Sequence, residues 1–94
     1  MEHSEAIELL ESTHAFPGVV PIKAIGTSDN DFVGRVVAAA AEELASQAEV
    51  DHQVRETPGG RHVSVTLHVS VQTPQQVLAI YARIREVEGL TLLF

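Results

Sequence analysis

The most regular pattern in the chain is an alternation of apolar and polar residues over residues 60–72. A period of two predicts a long β-strand with one buried face and one open face. We expect any function to lie on the open face, because the apolar face belongs to the core. The predicted core set is Val63, Val65, Leu67, Val69 and Val71. The opposite set is His62, Ser64, Thr66, His68, Ser70 and Gln72.

The start of the chain predicts a helix that stands apart from the rest. Residues 2–13 contain good helix formers, with glutamate at every third position from Glu2 to Glu11. This spacing drifts around a helix as a solvated stripe, and a short helix of this kind is marginal unless it docks. We therefore expect residues 1–15 to form a peripheral N-terminal helix and residues 16–94 to form the folded domain.

A strand and a second helix follow. Residues 16–18 (FPG) interrupt any helix, and residues 19–26 (VVPIKAIG) have the composition and spacing of a strand. Ser28 or Asn30 is the expected N-cap of the next helix, which the apolar spacing predicts over residues 31–47.

The second half of the domain predicts a hairpin, a capped helix and a final strand. Residues 49–57 alternate weakly and carry charges, as edge strands do, and residues 58–60 (PGG) turn the chain back. Thr73, with proline after it and Gln76 three residues later, matches a capping box at the start of a helix. Residues 90–94 are a short apolar strand.

A helix followed by the order β-α-β-β-α-β predicts an α+β fold of the ferredoxin-like type. Such a sandwich has a four-stranded antiparallel sheet with two helices on one face, and its usual strand order is 4-1-3-2. The strands over residues 19–26 and 60–72 would then be central neighbours. Lys23 would lie beside the row of serine, threonine and histidine on the open face.

Composition narrows the classes of function. Ninety-four residues make one domain, which needs neither a disulfide nor a metal to complete its core. The chain has no cysteine and neither a signal sequence nor a long apolar run, so we expect a cytoplasmic protein that does not enter a membrane. The net charge of −7 with scattered basic residues argues against nucleic acid as a partner.

The polar residues of the long strand do not suggest catalysis or metal binding. His62 and His68 are six positions apart, roughly 20 Å along a strand, so they cannot share one ion. Ser64 is about 7 Å or more from either histidine, which is too far for a nucleophile and its base. His52 falls with Val50 and Val54 on the opposite face by alternation. We expect a non-enzymatic protein with no metal and no cofactor.

Lys23 carries the most informative charge. Beside Ser64 and Thr66 it could meet a carboxylate ligand or an acidic group of a partner, although a lysine on an open sheet is often simply solvated. We predict a binding face for a small acidic ligand or a partner protein, formed by Lys23, Ser64, Thr66, His68 and His62.

Several residues, spread over most of the chain, match the sequence pattern of a known protein family at the same relative positions. They are Phe16-Pro17, Lys23, Gly26, Gly60, Ser64-Val65-Thr66 and the run from Gln76 to Tyr81. With this pattern the chain resembles the YbeD-like family of small uncharacterised bacterial proteins over residues 16–94. The resemblance implies a ferredoxin-like fold close to that of ACT-type regulatory domains and a role as a lipoate-linked regulatory protein. His62 stands where the family usually has a tyrosine, and Val20 and Ile22 stand where it has aromatic residues.

Two classes of function follow. The first is a regulatory or adaptor domain that binds a small acid, such as lipoate, or a partner protein through the open sheet face. The alternative is a structural homodimerisation module in which open faces or edge strands of two copies pair. A face-to-face dimer would bury Ile25 and Leu93, both expected on the polar face.

Overall fold

The computed structural model describes residues 3–44 and 50–94. Its elements follow the predicted order. In chain order they are α1 (His3–Thr13), β1 (Gly18–Thr27), α2 (Phe32–Ala41), β2 (Val50–Glu56), β3 (His62–Val71), α3 (Pro74–Ile84) and β4 (Leu90–Leu93). The second helix ends at Ala41, so its predicted extension over residues 42–44 was wrong. The part of that prediction beyond Leu44, and the prediction for Glu49 in the edge strand, fall outside the described residues.

The four strands form one antiparallel sheet in the order β2-β3-β1-β4. This is the predicted 4-1-3-2 order read from the other edge, and it confirms the ferredoxin-like arrangement. The central strands β1 and β3 pair over their full lengths, with Lys23 opposite Thr66. β2 is an edge strand, and six of its seven residues are exposed.

The core lies between the sheet and helices α2 and α3. Each apolar residue predicted for the core face of β3 is buried, and Val65 and Leu67 are completely inaccessible to solvent. Polar residues alternate with them on the opposite face, so the predicted orientation of this strand is confirmed. Phe32, which the sequence pattern did not assign to the core, is also buried.

Helix α3 begins as predicted. The hydroxyl of Thr73 accepts a hydrogen bond from the backbone N–H of Gln76 at 3.2 Å, and Pro74 occupies the first turn. The Gln76 side chain accepts from the backbone N–H of Gln72 at 2.7 Å, one position before the donor of a standard capping box. These bonds satisfy two amides at the start of the helix.

The predicted cap of α2 was wrong. The N-cap is Asp31, whose carboxylate accepts from the backbone N–H of Gly34 at 3.3 Å. Asn30 and Asp31 have φ angles of 54° and 52°, so the chain enters the helix through two left-handed residues. Ser28 instead donates its hydroxyl proton to the carbonyl of Gly60, joining this turn to the β2–β3 hairpin.

Helix α1 packs against α3, and Leu10 is half-buried against the core while Leu9 is exposed. None of the helices in the described part of the chain has the length and apolar character needed to cross a membrane.

Candidate functional site

The open face of the sheet brings residues of three strands into two neighbouring rows. In one row Thr66 lies between Lys23 on β1 and Gln53 on β2. In the next row Ser64 has Arg55 as its neighbour on β2. Lys23 therefore lies beside the serine and threonine, as the strand order predicted.

These rows form an open depression of about 390 Å³. It brings together three of the five predicted site residues, Lys23, Ser64 and Thr66, and places hydroxyl groups on its floor between a lysine and an arginine. The lining residues are Lys23, Gln53, Arg55, Ser64 and Thr66, together with Val54, which lies between Gln53 and Arg55 on β2 with its side chain on the helix side of the strand.

Lys23 and Arg55 lie on opposite sides of this floor. With about 4.8 Å between strands and a diagonal offset of one row, their Cα atoms are about 12 Å apart. Both side chains are long enough to bend towards a group held above Ser64 and Thr66. Two cations and two hydroxyl donors around one point are suited to a carboxylate or another small anion.

Neither cation of the depression is neutralised by a carboxylate among the described residues. The ion pairs among the described residues are both formed by Arg83, with Glu42 at 2.7 Å and with Glu43. These contacts, led by the hydrogen bond that Arg83 donates to the Glu43 carboxylate, raise the pKa of the Arg83 guanidinium. A chain of net charge −7 thus presents two positive charges in one place.

The Lys23 side chain also contacts Phe94, which lies on the side of β1 opposite to β3. Its Nζ lies 5.7 Å from the centroid of the Phe94 ring, within the range of a cation–π contact. The two residues are also joined through their backbones, since the N–H of Phe94 donates to the carbonyl of Lys23 at 2.8 Å. Phe94 thus limits the freedom of the lysine side chain.

The two predicted histidines lie outside the depression. His68 is one row beyond it, opposite Asp51 on β2 and Pro21 on β1. His62 lies at the start of β3, where its backbone N–H and carbonyl bond to Thr57. In residues 3–44 and 50–94 there is no cluster of three or more metal-ligating side chains. His52 lies opposite Leu67 and so on the helix face, as predicted.

Arg55 and Gln53 are the site residues that sequence reasoning missed. A signal for them exists in the hairpin. When the turn is centred between Gly59 and Gly60, Arg55 falls opposite Ser64, which is the observed register. The charged, weakly alternating pattern of residues 49–57 predicts an edge strand but does not by itself indicate which residues of β3 lie opposite.

The β1–β4 side of the open face is apolar. Val19, Leu92 and Phe94 are 60%, 56% and 58% exposed. Ile25 lies opposite Leu92, whereas Leu93 lies opposite Ala24 on the core face. The prediction that Leu93 lies on the polar face was therefore wrong. The four residues of β4 have no polar alternation from which its orientation could be read.

Together the fold and this face define a small α+β sandwich with a mixed polar and apolar sheet surface. The sequence profile described as "Protein of unknown function (DUF493)" matches residues 11–94. The chain therefore belongs to this family, also called UPF0250, and the YbeD-like resemblance is confirmed. It is 32% identical to a "UPF0250 protein" of Chromobacterium violaceum over 66 residues, which cover 70% of this chain and 74% of that protein.

Proposed function

We propose that the protein is a non-enzymatic regulatory or adaptor domain that binds a small carboxylic acid on the open face of its sheet. One observation carries this proposal: Lys23 and Arg55 flank the Ser64 and Thr66 hydroxyls with no ion pair to either cation in the described residues. A bound carboxylate would accept hydrogen bonds from the hydroxyls and gain the attraction of both charges. We place this activity in the cytoplasm.

The surroundings of the depression suit an acid with an apolar body. Next to Lys23, the half-buried Ile25 and the exposed Leu92 and Phe94 continue the face with apolar surface. A carboxylate between Lys23 and Arg55 would leave its hydrocarbon part over this strip. Lipoate, which the YbeD-like resemblance suggests, combines these two features and is the first ligand to test.

Binding without catalysis agrees with the geometry of the strand. Ser64 and His62 are two positions apart on β3, about 7 Å, and His68 is farther away. A serine nucleophile needs its base within hydrogen-bond reach. The depression is also open to solvent on one side, which favours reversible recognition over a reaction that must exclude water.

Calorimetric titration with lipoate and with lipoamide, its neutral counterpart, tests this proposal. We expect lipoate to bind and lipoamide to bind at least about tenfold more weakly, because the carboxylate is lost. Lys23→Glu and Arg55→Glu should each weaken lipoate binding by about tenfold or more. Arg61→Glu is the matched control, since it makes the same change of charge at an exposed residue outside the depression.

Equal binding of lipoate by wild type and Lys23→Glu would show that the acid does not use this face. The same face could instead bind a partner protein, and this alternative has its own test. A partner recovered by co-purification that binds Lys23→Glu and Thr66→Arg as tightly as wild type would move the site to an edge strand or to the helices.

The exposed apolar residues favour a second candidate, a homodimer formed through the open faces. Val19, Leu92 and Phe94 would be buried in such a dimer, and apolar burial is the main driving force of association. Leu92→Lys should then turn a dimer into a monomer in sedimentation experiments. A mass that does not change with Leu92→Lys would exclude face-to-face pairing.

A further inference from the structure

Within the described residues, the outer edge of β2 is unpaired over all seven positions of the strand. It pairs with β3 on one side, from Val50 opposite Val69 to Glu56 opposite Val63, and no described strand lies on its other side. The backbone N–H and carbonyl groups along this edge can accept another strand. A strand from a second copy of this chain has to match the charges of β2 to do so.

The sequence of β2 is complementary to itself. Gln53 is the middle residue of the strand, so full antiparallel overlap of two copies places Gln53 opposite Gln53. In this register Asp51 of each copy lies opposite Arg55 of the other. Opposite charges at facing positions stabilise a strand pair, whereas like charges there destabilise it. Full overlap of the two strands therefore also forms two pairs of opposite charges, each between Asp51 of one copy and Arg55 of the other.

The same register covers an exposed apolar side chain. Val54 is 49% exposed on the helix side of the strand. Across the pair it meets His52 of the second copy, because the two positions are equally distant from Gln53. The imidazole can pack its ring on the valine, so the helix side of the contact gains apolar burial while the open side gains ion pairs.

We propose that two copies of the chain associate through their β2 edges, with Gln53 on the two-fold axis, to give a continuous eight-stranded antiparallel sheet. A two-fold axis perpendicular to the sheet keeps both open faces on one side and all the helices on the other. The open faces stay uncovered, so this dimer differs from the face-to-face one.

This surface is distinct from the acid-binding depression, yet Arg55 belongs to both. In the dimer its guanidinium is shared between Asp51 of the second copy and any anion above Ser64. Lys23 is remote from the edge and takes no part in the pairing. Loss of acid binding in Lys23→Glu and loss of dimer in Asp51→Arg are consequently separate outcomes.

Charge reversal with rescue tests the proposal, with mass measured by sedimentation over a range of concentrations. Asp51→Arg places two arginines opposite each other, and Arg55→Asp places two aspartates opposite each other. Each single variant should dimerise at least about tenfold more weakly than wild type. The double variant Asp51→Arg/Arg55→Asp should regain the dimer, and an equimolar mixture of the two single variants should form a heterodimer.

Arg61→Asp, in the neighbouring turn, makes the same charge change as Arg55→Asp off the strand and should leave the dimer intact. Amide exchange supplies a second measurement that does not depend on the variants: the β2 amides that point away from β3 should gain protection as concentration rises. Wild type that stays monomeric up to about 1 mM would overturn the proposal. Single variants that dimerise as tightly as wild type, or a mixture that fails to associate, would do the same.

Discussion

The side-chain amide of Gln76 donates a hydrogen bond to the backbone carbonyl of Glu43, 2.8 Å away. The carbonyl of the same amide accepts from Gln72, so one side chain both caps α3 and ties it to the turn that follows α2. Within a capping box, glutamate serves as well as glutamine, because that position only has to accept. Here the side chain must also donate.

Gln76→Glu should therefore destabilise the protein by about 1 kcal/mol or more, because the carboxylate cannot donate to the Glu43 carbonyl. Urea unfolding measures the change. Gln75→Glu is the matched control, since it places the same charge at an exposed neighbouring position in the first turn. If the two variants are equally stable, the contact with Glu43 contributes nothing.

Thr73→Ala should cost about 1 kcal/mol, because the backbone N–H of Gln76 loses its acceptor. Thr73→Asp should retain stability, since aspartate also caps and its charge suits the N-terminus of a helix. Thermal unfolding of the three proteins separates these effects. Identical midpoints would mean that the observed bond has no energetic role.

The core face of β3 gives a larger effect. Val65→Ala or Leu67→Ala should cost about 1–4 kcal/mol through lost burial and the cavity left behind, since both residues are completely buried. Val19→Ala is the control, because it removes the same atoms as Val65→Ala from a side chain that is 60% exposed. Losses below about 0.5 kcal/mol at both core positions would contradict the assigned face.

The sequence was most informative where a repeated pattern determined the structure. Five alternate apolar residues fixed the orientation of β3, and Thr73 with Gln76 fixed the start of α3. Residues 28–31 (SDND) offer four capping side chains in a row, and the choice among them depends on which residues turn left-handed. The inward position of Phe32 depends on Gly26, where an added Cβ would lie 2.4 Å from the ring.

The residues of the candidate site also fall into those that the sequence pattern could place and those that it could not. Lys23, Ser64 and Thr66 could be placed because β1 and β3 are long and pair without interruption. Arg55 depended on the register across a glycine turn, and Leu93 on the orientation of a four-residue strand. Short strands and turns take their geometry from neighbours that are remote in sequence.

Tyr81 should make stability depend on pH in the alkaline range. Burial raises the pKa of its phenol above the ordinary value of 10.0, while Arg85, 5.8 Å from the ring centroid, opposes the change. The folded state therefore prefers the neutral phenol. This contribution is fully present below the pKa of the unfolded chain and is lost as the pH rises through the folded value.

Unfolding free energies measured up to about pH 11 should consequently fall more steeply for wild type than for Tyr81→Phe, which cannot ionise there. The chain has one tyrosine and no tryptophan, so near-ultraviolet absorbance reports this pKa directly. Arg85→Gln should raise it further. A phenol that titrates as in a free peptide would contradict the burial of the ring.

Deleting residues 1–13 should leave a folded domain of lower stability. Helix α1 adds its contact with α3 from outside the sandwich, and Leu10 contributes the half-buried side chain. Circular dichroism and thermal unfolding of the truncated chain measure this. Leu10→Ala should lower stability more than Leu9→Ala in the full chain, because Leu9 is exposed. Loss of the folded spectrum on truncation would place α1 within the core.

The pairing of β1 with β3 has a consequence for the order in which the molecule assembles. The β2–β3 hairpin closes over a few residues and can form in microseconds, whereas the pairing of β1 with β3 joins residues that are far apart in the sequence, from Thr27 with His62 to Gly18 with Val71. A chain emerging from the ribosome therefore holds β1 without a partner until β3 has been made. Lys23 and Thr66 first meet in that late step, so the proposed binding face arises only when the chain commits to its fold.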